Sequence, residues 1–168
     1  MSRVLVPVDG SESSLGAVRS AIASVRVGSV ESVCLVNVQP PLPRYVSRWI
    51  ARSDRDDFRR ERGQRELRRA RKLLDEANIG YTSEVLVGDE AACIAAEAAR
   101  LGCDEIVISV SHANVVDRFL DNALQSRLLD ATAVPLRVVP APARRTARRI
   151  AIPIGLGLGM GLVLFIAE

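Results

Sequence analysis

Five short apolar segments alternate along the chain with stretches whose apolar residues recur at helical spacing. This alternation constrains the fold more than any other feature of the sequence. The apolar segments are 3–8, 32–38, 81–88, 104–109 and 135–140. Continuous apolar runs of this length are typical of strands that are buried on both faces. The order of strand and helix, repeated up to a fifth strand, therefore predicts an α/β fold with an open parallel sheet and helices on both faces.

Four helices are predicted between these strands. Ser11 is placed to cap the first, whose apolar residues are spaced from Leu15 to Val25. The longest helical pattern runs from about 54 to 77, with arginines on its outer face. The residues predicted for its apolar face are Phe58, Leu67, Ala70, Leu74 and Ala77. The third and fourth helices are marked by Ala91, Ile94, Ala95, Ala98 and Leu101, and by Val116, Leu120, Leu124 and Leu128.

The charge distribution argues against a nucleic-acid partner. The net charge is only +3, although residues 44–72 hold twelve basic and five acidic side chains. In that stretch Tyr45, Val46, Trp49 and Ile50 fall on one side of a helical turn beside the arginines. Such a segment either lies in a membrane interface or packs its apolar side on the sheet while the arginines stay solvated. Acidic residues at 54, 56, 57 and 61 interrupt the positive field, so nucleic-acid binding is not expected.

No pattern in the sequence predicts an enzyme or a metal site. Cys34, Cys93 and Cys103 form no CxxC pair and are expected to be reduced, mostly buried thiols of a cytosolic protein. His112 is the single histidine, so no Ser-His-Asp or Cys-His arrangement is readable. Its ordinary role in a loop is that of a hydrogen-bonding residue.

One acidic residue stands where a ligand of such a fold would bind. Ligands of open parallel sheets bind beyond the carboxyl ends of the strands, at the point where the strand order reverses. Asp9 directly follows the first predicted strand. It is expected either to contact a ligand there or to cap the first helix.

Three stretches in order carry a resemblance to a known family. They are "VLVPVDGSESSLGAVRSAI", "RRARKLLDEANIGYTSEVLVGDEAACIAAEAARLGCDEIVI" and, after the fourth helix, "VPLRVV". Over residues 3–140 the chain resembles the universal stress protein family. The resemblance implies a sheet of order 3-2-1-4-5. It also implies homodimers that pair their last strands, here Leu136–Val139.

Many members of that family bind ATP with a loop in which glycines hold the phosphates: Gly, two residues, Gly, nine residues, Gly, then Ser or Thr. On this chain these positions fall on Ser109, His112, Asn122 and Ala123, and none matches. Asp117 and Asp121 add negative charge to the same loop. The loop therefore favours a site that does not bind ATP in the usual way, because glycine is what lets backbone N–H groups approach phosphate.

The other half of the nucleotide pocket is retained by resemblance. Asp9, Val38 and Gly88 match positions that line the base and the ribose. With Ser109, His112 and Asn122 they form a vestigial nucleotide pocket. The expectation is a regulatory domain that binds a ligand or a protein partner without turnover. The alternative is an adenine-nucleotide sensor with slow ATP hydrolysis, in which Ser109, His112 and Asn122 rebuild the phosphate cradle.

The end of the chain differs from the rest in composition. Ile150–Ala167 contains no charged side chain and as a helix would be roughly 27 Å long, close to the hydrocarbon thickness of a bilayer. "RRTARR" precedes it and would keep that side cytoplasmic. The prediction is a domain over 1–140, a basic linker over 141–149 and a single transmembrane helix over 150–167, with the domain on the cytoplasmic face. The alternative is a cytoplasmic dimer whose tail packs on the domain or on a partner.

Overall fold

The computed structural model describes residues 2–41, 52–110 and 115–140, with the side chains of 52 and of 115–122 outside the description. Five parallel strands form one sheet in the order β3-β2-β1-β4-β5. Their bounds are β1 Arg3–Pro7, β2 Ser32–Gln39, β3 Tyr81–Val87, β4 Glu105–Val110 and β5 Leu136–Pro140. The predicted α/β class and the strand order 3-2-1-4-5 are both confirmed.

Four helices are described around this sheet: α1 Glu12–Arg26, α2 Arg52–Glu76, α3 Glu90–Leu101 and α4 Val115–Ala131. The predicted cap of α1 is present, because Ser11 Oγ accepts a hydrogen bond from Ser14 N at 3.1 Å. Asp89 caps α3 in the same way, and Gly102 ends that helix in the left-handed conformation at φ 61°. These residues set where α1 begins and where α3 begins and ends.

Side chains that alternate along each strand divide the core into two layers. On one face Val33 and Leu35 of β2 pack with α1 and α2, where Leu67 is fully buried. On the opposite face Cys34 and Val36 pack with α3 and α4. Because the sheet is covered on both faces, most side chains of its central strands are apolar, as the sequence indicated.

One predicted core residue is wrong. Phe58 was expected on the apolar face of the long helix, and its side chain is instead 57% exposed. Phe58 precedes Leu67 by nine residues, and nine steps of 100° amount to two and a half turns, which places the two side chains on opposite sides of α2. The buried face of α2 is made by Leu67, Ala70 and Leu74.

The predicted linker 141–149 and the predicted transmembrane helix Ile150–Ala167 lie outside the described residues, as do residues 44–51 of the basic stretch 44–72, which include Tyr45, Val46, Trp49 and Ile50. Within the three described ranges, none of the helices has the length and apolarity needed to span a bilayer. The predicted dimer strand Leu136–Val139 forms most of β5, an edge strand of the described sheet, with Val138 39% exposed.

Candidate functional site

A cleft opens at the carboxyl end of the sheet, between β1 and β4. This is where the strand order reverses, because the chain proceeds from β1 to β2 and β3 on one side and then returns to β4 on the other. The cleft is lined by Pro7, Val8, Asp9, Ser11, Ser13, Ser14, Val36, Asn37, Val38, Glu90, Ile94, Ile108, Ser109 and Leu124. Three residues of the predicted site, Asp9, Val38 and Ser109, are brought together here.

Asp9 presents an exposed carboxylate at the mouth of the cleft. Its Oδ1 accepts a hydrogen bond from the backbone N–H of Ser11 at 2.9 Å. Among the described residues no donor contacts Oδ2, which leaves that oxygen able to accept hydrogen bonds from a ligand. The expectation that Asp9 caps the first helix is wrong, because Ser11 is the cap, and one oxygen of Asp9 instead orders the turn before α1.

Serine hydroxyls close the floor of the cleft between α1 and β4. Ser13 Oγ donates a hydrogen bond to the carbonyl oxygen of Ser109 at 3.1 Å, and its hydroxyl lies 3.5 Å from that of Ser109. The backbone N–H groups at the start of α1 lie at the same end of the sheet, where the helix dipole favours negative charge. Ser11 and Ser13 were not among the predicted site residues. A run of three serines, Ser11, Ser13 and Ser14, directly after the first strand was the available signal.

The opposite wall of the cleft is apolar. Val36 and Val38 of β2, Ile108 of β4, Ile94 of α3 and Leu124 of α4 contribute to it. A flat, weakly polar group such as a purine ring would bury apolar surface against these side chains. The cleft therefore combines hydrogen-bonding groups on the α1 side with an apolar wall on the α3 side, which is the usual composition of a small-molecule site.

Three of the predicted site residues are not among the described residues that line the cleft. Gly88 lies at the end of β3, where its N–H donates to the carbonyl oxygen of Gln39 at 3.1 Å, and it is not one of the lining residues. A Cβ atom on Gly88 would lie 2.7 Å from Cys93 Sγ, so close packing accounts for this glycine. His112 lies outside the described residues, and so does the side chain of Asn122.

An ion pair stands at the rim beside the cap of α3. The guanidinium of Arg127 contacts the Asp89 carboxylate, whose other oxygen accepts from the backbone N–H of Ala92 at 3.1 Å. The N–H of Ala92 and the Arg127 charge hold the pKa of Asp89 below its usual value. Glu90, the next residue, lines the cleft. In the described part of the chain, no group of three or more His, Cys, Asp or Glu side chains is arranged to hold a metal ion.

A polar residue inside the second strand was missed from the sequence. Asn37 lines the cleft and is 1% exposed. Its Nδ2 donates a hydrogen bond at 2.7 Å to the carbonyl oxygen of Val8, the residue directly before Asp9. An asparagine within an otherwise apolar strand was a readable signal, because a buried amide needs partners. Its contact with Glu66, 29 residues away, had no signal in the local sequence.

Comparison with known proteins supplies the family. Residues 1–140 match the sequence model of the Universal stress protein family. Universal stress protein MJ0531 of Methanocaldococcus jannaschii is 27% identical over 146 residues, which are 84% of each chain.

Two solved structures share the fold and were determined with a nucleotide. A universal stress protein in complex with cAMP has a TM-score of 0.63 at 18% identity, over 84% of this chain and 98% of its own. A universal stress protein family protein from Arabidopsis thaliana with AMP bound has a TM-score of 0.60 at 16% identity, over 89% of this chain and 97% of its own.

Proposed function

The chain belongs to the universal stress protein family, and on that premise we propose that it is a regulatory domain that binds an adenine nucleotide with one phosphate and does not turn it over. The observation that carries the proposal is the partly apolar cleft at the strand reversal, which Asp9 and Val38 both line. Relatives of the same fold with AMP and with cAMP bound support this class of ligand.

The nucleoside half of the ligand would lie against β1 and β2. The uncontacted Oδ2 of Asp9 is suited to accept hydrogen bonds from ribose hydroxyls, as acidic residues do at the corresponding edge of dinucleotide-binding folds. Val36 and Val38 supply the surface on which the base would be buried.

The phosphate half would hold one phosphate better than three. The segment from the end of β4 into α4 carries Ser109, His112 and Asn122 where the family's ATP-binding loop has glycines, and Ala123 where it has a hydroxyl. Each lost hydrogen bond to a charged phosphate weakens binding by about 1.5–3 kcal/mol, or roughly 10- to 150-fold. Ser109, His112 and Asn122 can each still offer a hydrogen bond to a single phosphate. Two acidic residues of the same segment, Asp117 and Asp121, disfavour the higher charge of a triphosphate.

We expect binding without turnover because the sequence offers no Ser-His-Asp or Cys-His arrangement, His112 being the single histidine of the chain. The carboxylate of Asp9 is committed to the nucleoside side in this arrangement. The domain would then act by changing its surface when the nucleotide is bound, and by presenting that surface to an unidentified regulatory protein.

The remaining elements of the proposal concern assembly and location. Two copies would pair along Leu136–Val139, supported by the edge position of β5.

The apolar segment Ile150–Ala167, preceded by arginines, would tether the domain to the cytoplasmic face of a membrane, with a cytoplasmic dimer as the alternative. Extraction of membranes with alkaline carbonate tests the tether: full-length protein is expected in the pellet and protein lacking 141–168 in the supernatant. Recovery of both in the supernatant would contradict it.

A calorimetric titration of the full chain in mild detergent tests the ligand. AMP is expected to bind, and Asp9→Ala to weaken it at least about 10-fold, because hydrogen bonds to a charged group are lost. Asp130→Ala is the matched control, since Asp130 is an exposed carboxylate near the end of α4 and is not a lining residue of the cleft. Equal losses in both variants would contradict the placement of the ligand.

A second function is favoured by the loop without glycines: a domain that binds only a protein partner, with the cleft unused. It predicts that neither AMP nor cAMP binds at millimolar concentration and that no nucleotide is released when the purified protein is denatured.

A further inference from the structure

Two buried amides and one partly buried carboxylate form a network beneath the turn that carries Asp9. Asn37 and Gln39 point from β2 toward α2 and are 1% and 3% exposed. Glu66 of α2 accepts hydrogen bonds at the same oxygen, Oε2, from Asn37 Nδ2 at 2.7 Å and from Gln39 Nε2 at 2.8 Å. Gln39 Nε2 also donates to Asn37 Oδ1 at 2.6 Å. The two buried amides are thus satisfied by each other and by one carboxylate.

The network ends on the residue that precedes Asp9. Asn37 Nδ2 donates to the carbonyl oxygen of Val8 at 2.7 Å, while the N–H of Val8 donates to the carbonyl oxygen of Val36 at 2.8 Å. Both backbone groups of Val8 are therefore held by β2. The direction in which the chain enters the Asp9 turn depends on the orientation of the Asn37 amide.

Glu66 is one of three groups that favour that orientation, together with the Val8 carbonyl, which accepts from Asn37 Nδ2, and Gln39 Nε2, which donates to Asn37 Oδ1. A carboxylate only accepts hydrogen bonds, so an amide facing it must turn its NH2 group toward it. With its NH2 toward Glu66, Asn37 also presents a donor to the Val8 carbonyl. If Glu66 were absent, Asn37 would keep its hydrogen bonds to the Val8 carbonyl and to Gln39 Nε2, but its amide would lose the hydrogen bond that anchors it to α2.

Two glycines allow α2 to come this close. At Gly63 an added Cβ atom would lie 2.8 Å from Asn37 Oδ1. At Gly10, where φ is +81°, an added Cβ atom would lie 3.3 Å from the Cβ of Glu66. Glu66 therefore packs directly on the turn that follows Asp9, and the exposed Arg62 guanidinium holds its other oxygen at 3.0 Å.

We propose that Glu66 is a positioning residue for the nucleotide site: it anchors the Asn37 amide to α2 and, through the Val8 carbonyl, holds the Asp9 carboxylate toward the ligand. The same network reaches the rest of the nucleoside side, because Val38 lies between Asn37 and Gln39 and the Gln39 carbonyl accepts from Gly88 N. The proposal rests on nucleotide binding at Asp9 and adds that α2, which does not line the cleft, sets its affinity.

Titration of AMP into a set of variants tests the positioning role. Glu66→Ala is expected to weaken AMP binding about 10-fold, since one oriented hydrogen bond to the ligand is lost. Glu66→Gln, whose amide oxygen can still accept from both amides, is expected to stay within about 3-fold of wild type. Arg62→Gln, which removes only the exposed ion pair, is the matched control and is expected to change affinity less than about 2-fold.

A double variant separates positioning from general damage. If Glu66 acts through Asp9, then Glu66→Ala added to Asp9→Ala causes no further loss of AMP affinity. A further loss as large as that in the wild-type background would overturn the proposal, as would wild-type affinity in Glu66→Ala.

A measurement without nucleotide keeps this proposal apart from the proposed function. The backbone amide of Ser11, which donates to Asp9 Oδ1, is a nuclear magnetic resonance probe of the turn. Its signal is expected to move in Glu66→Ala and to stay in place in Glu66→Gln and Arg62→Gln. If wild type binds no AMP while the Ser11 signal moves as described, nucleotide binding fails and the positioning by Glu66 stands. An unmoved Ser11 signal in Glu66→Ala overturns the positioning itself.

Discussion

Replacing Gly63 with alanine is predicted to destabilise the protein, although alanine is the better helix former. Gly63 is buried in the middle of α2, where the helix lies against the sheet. A Cβ atom there would overlap Val85 Cγ1 and lie 2.8 Å from Asn37 Oδ1. Val85 is β-branched and Asn37 is held by hydrogen bonds, so neither side chain can move aside and the helix itself must shift.

The magnitude is the difference between two opposing terms. Exchanging glycine for alanine inside a helix stabilises by about 1 kcal/mol. Forcing an extra carbon into a packed core costs about 1–3 kcal/mol. The added Cβ would lie less than 3.0 Å from side chains of the sheet, so the upper end of that range applies. The net expectation is a loss of about 2 kcal/mol in the free energy of unfolding.

Urea titration followed by circular dichroism measures this loss, and two other glycines serve as controls. Gly80→Ala is expected to be neutral or slightly stabilising, because nothing lies within 4 Å of its added Cβ. Gly28→Ala has the same free space but a φ of +76°, so it should cost about 1 kcal/mol through backbone strain alone. A Gly63→Ala protein as stable as wild type, or more so, would refute the close approach of α2 to Asn37.

Three further predictions concern the rest of the domain. Leu67→Ala is expected to lower the free energy of unfolding in urea by about 2–5 kcal/mol, because Leu67 is fully buried. Leu129→Ala is expected to lower it by less than about 0.5 kcal/mol, because Leu129 is 59% exposed. Equal losses would contradict the packing of α2. Because the pKa of Asp89 is lower folded than unfolded, its stabilisation is present above the unfolded pKa of about 3.9 and is lost as pH falls through the folded value. The stability gap between wild type and Asp89→Ala should therefore close in acid unfolding, and a gap unchanged down to pH about 2 would contradict this. Burial, together with the neighbouring Cys34 thiol, raises the pKa of Cys103 to about 12. A thiol reagent at neutral pH should therefore leave Cys103 unmodified until the protein unfolds. Rapid labelling of Cys103 in the native protein would contradict its burial.

The sheet could be predicted because its signals are local and repeat. Each buried strand reads as an apolar run, each helix between them carries an apolar face, and Ser11 marks the start of the first helix. The placement of Asp9 followed from the general rule for ligand sites at the carboxyl ends of parallel strands. Phe58 was misplaced because its apolar character was weighed above its angular position on the helix.

The polar network could not be predicted from sequence. Asn37 and Glu66 are 29 residues apart, and their contact depends on how closely α2 approaches the sheet. That approach depends in turn on Gly63, which in a sequence reads as a weak point of a helix rather than as a packing residue. The contribution of Ser13 to the floor of the cleft likewise depends on the distance between α1 and β4.

The central claim is that the cleft keeps the residues suited to a nucleoside, while the segment from β4 into α4 lacks the hydrogen-bonding groups needed to hold a triphosphate. Dissociation constants for AMP and ATP test it most directly, measured on wild type and on a variant that restores the glycine pattern with Ser109→Gly, His112→Gly, Asn122→Gly and Ala123→Ser. Wild type is expected to bind ATP no more tightly than AMP. The variant is expected to gain at least about 10-fold for ATP and to change less than about 3-fold for AMP. Wild-type protein that binds ATP at least about 10-fold more tightly than AMP would contradict the account.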